Sequence, residues 1–379
     1  MDQAAARAEA IFKKHGVRLT LGGEPTYVPI NPEGAEWNYA AVGPTKLAYA
    51  WKVAENLLDS RLADSAPFFC PGKSYPGEVN PRWVVRILAN RDGTPLFRRA
   101  KQSGVPGPEA VRRLADGICE GLGVAKHWLQ FADPLAPDSQ IWAMPIDFEE
   151  ARWRSSRWGI AKNLRVLSEA EGPAGLRLPL HRLPPSVSRR AISIEMKGDS
   201  IAVFIPPLLQ KPFIELLAVI EDSAAESGVG QVALQGYTPA DEAGNWITLG
   251  LAADPGVLEV NLPACSSWHE YAEWIEIVTA SCEAAGLRSW KESSGDVPQG
   301  TGGGNHLLWG GSKLETNPFF TRPGWLASIL RFWQHHPSLA YLFTGCYVGA
   351  SSQAPRPDES ARDLYDIEMA YSFLASLPA

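Results

Sequence analysis

Apolar residues recur at three- and four-residue spacing in residues 2 to 15, Thr45 to Leu58, Pro108 to Gly121 and Pro212 to Ser227. The same spacing returns in Trp268 to Ala285, Gly324 to His335 and about Ala361 to Ala375, so helices are predicted in all of these. Gly16 follows the first with lysines in its last turn, the usual signature of a helix end. Strand-like alternation or short apolar runs mark Val17 to Thr20, Arg82 to Ala89, Val232 to Tyr237, Trp246 to Ala252, Val257 to Asn261 and Leu339 to Phe343. Ala191 to Met196 and Ile201 to Ile205 flank Lys197-Gly198-Asp199-Ser200 and predict a hairpin, and Asn90-Arg91-Asp92-Gly93 is a second hairpin-turn signal. Cys70 to Pro81 reads as a Pro- and Gly-rich loop, and Ile141 to Leu167 is mixed. Gly172 to Pro185 is too rich in proline for a helix and is expected to run extended. Short strands with helices in irregular order predict an α+β fold with a mainly antiparallel sheet flanked by helices. No linker, repeat or low-complexity tract divides the chain, so one domain over residues 1–379 is expected.

Composition narrows this only by exclusion. Of 379 residues 45% are apolar and 20% charged, and the net charge is −7, which argues against nucleic-acid binding by a basic surface. Five widely spread cysteines without a CxxC suggest neither a disulfide framework nor a cysteine zinc site. The N-terminus lacks the apolar core of a signal peptide and no run approaches a membrane span, so a cytoplasmic protein is expected, without a membrane.

Candidate chemistry gathers at Thr301-Gly302-Gly303-Gly304-Asn305-His306-Leu307-Leu308-Trp309-Gly310-Gly311. Such glycine density implies either a sharp turn or a backbone that approaches a ligand closely. It matches neither GxxxxGK[ST] nor a GxGxxG that opens a helix. Three acidic residues lie on or beside predicted strands: Glu24, Glu195 and Glu259. A strand glutamate flanked by apolar residues, as Glu259 is, needs a cation or hydrogen bonds to offset its burial. Each is read either as an outward-facing carboxylate or, with His306, as part of an oxygen-rich Mg²⁺ site. Arg152, Trp153, Arg154, Arg157 and Trp158 read as a cation–π surface patch rather than an anion site. There is no GxSxG, and Cys265 with His269 reads as helix-start geometry rather than a nucleophile pair.

Taken together, several motifs resemble one family, the amidoligase domain of bacteria, often fused behind a transglutaminase-like domain. The matching stretches are Leu21 to Thr26 (LGGEPT), Gly34 to Asn38 (GAEWN), Gly43 to Lys46 (GPTK), Gly72 to Glu78 (GKSYPGE) and Gly175 to Leu180 (GLRLPL). They continue with Asp254 to Asn261 (DPGVLEVN), Thr301 to Gly311, His336 to Leu339 (HPSL) and Ser352 to Arg356 (SQAPR), in order over nearly the whole chain.

This resemblance implies a curved, mainly antiparallel sheet like that of glutamine synthetase and glutamate–cysteine ligase. It implies ATP- and Mg²⁺-dependent joining of a carboxylate to an amine through an acyl-phosphate, with an amino acid or peptide as substrate. Glu24, Glu195, Glu259 and His306 would hold the metal, and Gly302, Gly303, Gly304, Asn305 and Lys73 would meet the nucleotide. Arg356, His306 and Arg177 would carry catalysis by neutralising phosphate or substrate carboxylate. Family members continue past the point where this chain stops, so the resemblance also implies a missing C-terminal segment. A transglutaminase-like or ligase partner is the corresponding expectation, with a partner-dependent or non-catalytic peptide-binding module as the alternative function.

Overall fold

The computed structural model describes residues 2–78, 81–98, 107–241, 244–292 and 298–336, with 372, 373, 375 and 376 near the chain end. The chain forms two compact units, one from residues 1–61 with 248–379 and the other from 62–247.

The first unit opens with helix α1 (Asp2–Lys14), strands β1 (Thr20–Glu24) and β2 (Thr26–Pro29), and helix α2 (Pro44–Leu58). Val17 to Thr20 was the expected strand; only its last residue belongs to β1, which runs on through Gly22 and Gly23. Gly23 lies inside the strand where space beside it is short. A Cβ on Gly23 would sit 2.9 Å from the Tyr271 hydroxyl and 3.2 Å from Leu262. Pro44 starts α2 with its fixed φ and missing N–H at the position where a helix needs neither.

In the second unit come β3 (Ala66–Pro71), β4 (Trp83–Asn90), α3 (Pro108–Leu122), β5 (Leu129–Phe131), β6 (Gln140–Pro145), β7 (Asp147–Glu149) and β8 (Arg152–Arg154). After them follow α4 (Ala174–Arg177), β9 (Ala191–Lys197), β10 (Ser200–Ile205), α5 (Gln210–Ser227) and β11 (Val232–Gly236). The strands run in the order β4-β3-β11-β10-β9-β6-β5. Four of the six pairings are antiparallel; β10/β11 and β11/β3 are parallel. The β9–β10 hairpin forms as expected, with Gly198 at φ 59° in its turn. At Asn90 the turn closes, with the Gly93 amide 3.1 Å from the Asn90 carbonyl. No described strand follows to complete a hairpin there, and β4 instead pairs back onto β3. Residues 172–185 are not simply extended. Pro173 caps one turn of helix, α4, and a 3₁₀ turn follows at Leu180–Arg182, because proline is tolerated at a helix start. Helices α3 and α5 approach closely where Gly117 meets Ser223 and Gly121 meets Val219. A second packing centre joins Phe131, Ile141, Trp158, Leu178 and Leu183.

The chain returns to the first unit with β12 (Trp246–Asp254), β13 (Val257–Asn261), α6 (Trp268–Ala284), β14 (Leu287–Arg288), β15 (Trp290–Glu292), β16 (Pro298–Gly300) and β17 (His306–Gly310). It continues with α7 (Pro318–Thr321) and α8 (Gly324–His335). Strands β14-β2-β13-β12 form an all-antiparallel sheet, and β1 pairs with β17. The inner face of β12 and β13 carries Leu251, Leu258 and Val260, all inaccessible to water. Each such side chain stabilises by about 1.5–3 kcal/mol when fully buried. The architecture is thus α+β and mostly antiparallel, as the patterning predicts. The expected strand at Leu339 to Phe343, most of the expected final helix, Cys346 and Arg356 lie outside the described residues.

Candidate functional site

Bond alternation along β1, β2 and β13 builds a polar face in the first unit. The Val260 amide donates to the Pro25 carbonyl (2.9 Å) and the Leu262 amide to the Gly23 carbonyl (2.9 Å). Those bonds set Asn261 opposite Glu24, and the ladder sets Glu259 opposite Thr26. Opposed residues of an antiparallel pair share a face, as do residues two apart on one strand. Glu24, Thr26, Glu259 and Asn261 therefore lie on one face, with Gly250 and Ala252 of β12 beside them in register. Neither of these two brings side-chain bulk to that face. Glu259 is 6% exposed, and its Oε1 accepts from Asn261 Nδ2 at 3.0 Å.

Strand β17 adds the imidazole. Its register puts His306 directly opposite Glu24, and His306 Nδ1 lies 2.7 Å from Glu24 Oε2. The preceding loop is tied down from below. Thr26 and Thr301 are fully buried, with their hydroxyls 2.6 Å apart. Asn305 Oδ1 accepts from the Thr26 amide (2.9 Å) and the Thr26 hydroxyl (3.2 Å). The glycines of the loop have reasons internal to the protein. Gly302 has φ 91°, a conformation that a side chain rarely adopts, and a Cβ on Gly303 would fall 2.9 Å from Val257 and 3.0 Å from Thr26.

The opposite face of the β1–β17 ribbon is apolar. Leu21, Leu307 and Trp309 point there and, with Phe12, Trp325 and Phe332, line a cavity of about 650 Å³. Imidazole and carboxylate on one side, an oily cavity on the other, are separated by one strand thickness.

The remaining expected site residues lie in the second unit. Glu195, on β9, accepts from the Ala174 amide at 3.2 Å, and burial pushes its carboxyl above the ordinary range. Arg177 is buried and committed. Its two terminal nitrogens grip Asp133 at 2.8 and 2.5 Å, and Nε donates to the Ser168 carbonyl. These hydrogen bonds from Arg177 hold Asp133 below the usual carboxylate range. Lys73 is exposed on a loop braced by Arg82, which bonds Glu78 (2.8 Å) and stacks on Tyr75 (4.2 Å). Glu24, Glu259, Asn305 and His306 are thus brought together by neighbouring strands, whereas Arg177 is held by Asp133.

Sequence reasoning missed a buried network beside α2. Glu36 Oε1 accepts from the Thr45 hydroxyl (2.6 Å) and amide (3.3 Å), and that hydroxyl chiefly holds Glu36 below its usual range. Lys46, wholly buried, donates to the carbonyls of Ala41 (2.8 Å) and Asp254 (2.6 Å) and lies over the Trp37 ring. The signal was present in the two short stretches GAEWN and GPTK, whose glycines leave room for the Glu36 carboxylate.

Among the described residues thiol chemistry finds no support. Cys70, Cys119, Cys265 and Cys282 are buried, and burial raises the Cys70 and Cys119 thiols to about 11. The Cys265–His269 region is indeed a helix start: Ser267 Oγ accepts from the Glu270 amide while Glu270 accepts from the Ser266 amide.

Among the described residues no group of three or more His, Cys, Asp or Glu side chains is placed to hold a metal unaided. Mg²⁺ needs less, because one or two carboxylates suffice when substrate phosphates and water complete its shell. Glu24 and Glu259, with the Asn261 amide between them, fit that demand. Among the described residues no helix is long and apolar enough to cross a membrane.

Comparison with curated proteins and with solved structures gave no match. A family model does match, over residues 1–136 and 184–377, leaving out the segment that carries Arg177. It includes both strands of the ribbon and β13. The chain belongs to the family described as putative amidoligase enzyme (DUF2126).

Proposed function

We propose that the protein is an ATP- and Mg²⁺-dependent ligase that joins a carboxylate to an amine, with an amino acid or peptide as substrate. The observation that carries this reading is the polar face of the first unit. There Glu24, paired at 2.7 Å with His306, shares a surface with the buried Glu259. Membership of the amidoligase family supports the reaction class. MgATP, when bound, supplies the phosphoryl group that turns the substrate carboxylate into an acyl-phosphate.

The chain's own part follows from its geometry. Glu259 and Glu24 would offer carboxylate oxygens to the cation, and Asn261 keeps Glu259 oriented through its 3.0 Å bond. The Glu24 bond to Nδ1 fixes the ring of His306, and Nε2 would be the nitrogen available to phosphate or substrate. Gly250 and Ala252 add little side-chain bulk beside Asn261 and Glu259. Arg177 takes no part, because Asp133 already neutralises it.

Calorimetry with MgATP tests the reading directly. Binding that disappears on chelation, and ATP turnover that requires both a carboxylate and an amine, are expected. In Glu259→Gln the Mg²⁺ requirement should shift at least tenfold. A folded wild-type protein that binds no MgATP would overturn the proposal, and release of free amine without ATP would replace it with a hydrolase.

A further inference from the structure

Strand β17 reads His-Leu-Leu-Trp-Gly, and alternation means that a shift of one residue would exchange its faces. Leu307 would then oppose Glu24, and His306 would turn towards the apolar cavity. Leu307 and Trp309 in the cavity and the 2.7 Å contact of His306 with Glu24 favour the observed register. A further determinant lies one residue before the strand.

Thr26 and Glu259 are opposed across β2 and β13, and the Thr26 amide faces away from β13. It points to where β17 would continue if the ladder ran past the Glu24–His306 pair. No backbone carbonyl meets it there; Asn305 Oδ1 does, at 2.9 Å, and the same oxygen takes the Thr26 hydroxyl at 3.2 Å. A buried amide without an acceptor costs on the order of 1–3 kcal/mol. The Asn305 side chain therefore stands in for the next rung of the ladder, and Thr301 backs it through its 2.6 Å contact with Thr26.

We infer that Asn305 is a positioning residue: its amide oxygen, held by buried Thr26, pins the β17 register that sets His306 rather than Leu307 against Glu24. What His306 then does rests on the ligase reading; the placement itself does not. Asn305 thus acts through His306.

The full chain has seven histidines, few enough for imidazole ¹⁵N signals to be resolved one by one with labelled histidine. His306→Gln assigns the His306 signal by its loss, and Glu24→Gln shows how that signal looks once the Nδ1 partner no longer accepts as a carboxylate. Asn305→Ala is expected to lose the wild-type His306 pattern while the other histidine signals stay in place. Asn305→Asp, which keeps an acceptor oxygen, is expected to retain it. A wild-type His306 pattern in Asn305→Ala would overturn the inference, as would loss of the pattern in Asn305→Asp. Should Asn305→Ala fail to fold, Asn305→Leu, which fills the space without an acceptor for the Thr26 amide, takes its place: loss of the pattern supports the pin and retention overturns it. MgATP calorimetry on the wild-type sample separates the two ideas, since absent binding defeats the ligase reading and leaves the histidine result standing.

Discussion

Arg177 and Asp133 show how much a single side chain's role depends on a distant partner. Both are nearly inaccessible to water, and their bidentate pairing is the only arrangement that makes two buried charges tolerable. Replacing Arg177 by Met should destabilise the protein by about 3–5 kcal/mol, because Asp133 would be left buried and alone. Urea unfolding would check this, and the double variant Arg177→Met/Asp133→Leu should recover much of the loss. The family resemblance implies an anion clamp at Arg177, and nothing in its neighbourhood announces an aspartate 44 positions away. Glu259 was legible for the opposite reason. Its apolar flanks on a short strand already demanded a compensating group, and the structure supplies Asn261 two residues on.

At the scale of elements, helices with clear apolar spacing and the β9–β10 hairpin could be read directly, because period and turn chemistry agree. The β1–β17 ribbon could not. Glycines in β1 and just before β17 hide the strands, and only the tertiary neighbours explain them: Tyr271 and Leu262 beside Gly23, Val257 and Thr26 beside Gly303. Gly303→Ala should therefore cost about 1–3 kcal/mol by overpacking, seen as a lower urea midpoint. The one-turn helix α4 escaped notice because surrounding prolines forbid a long helix but permit a single turn. Parallel pairing of β11 was likewise invisible, since alternation does not report strand direction.

For the whole molecule, the buried carboxylates set the response to acid. Glu36 in the first unit and Asp133 in the second are both held below their usual range, the one by Thr45 and the other by Arg177. A depressed carboxyl contributes stability that is complete above its unfolded value, about 4, and is lost as pH falls through its folded value. Glu195 acts with the opposite sign, because burial raises it and folding then favours its protonated form as pH falls. Urea midpoints should therefore drop between pH 5 and 3, roughly the window in which carboxyls titrate. Asp133→Asn and Glu36→Gln should each flatten that decline while lowering stability at neutral pH. The ribbon carries a consequence of another kind. Since ionic groups occupy one side of β1 and β17 and the 650 Å³ cavity the other, chain length there obeys a rule of parity. Inserting one residue within His306–Gly310 would turn the imidazole to the apolar side, whereas inserting two would return it to the polar face, two positions further along. Functional descendants of this fold should then differ in ribbon length by even numbers, with odd changes absorbed in the glycine loop before Asn305.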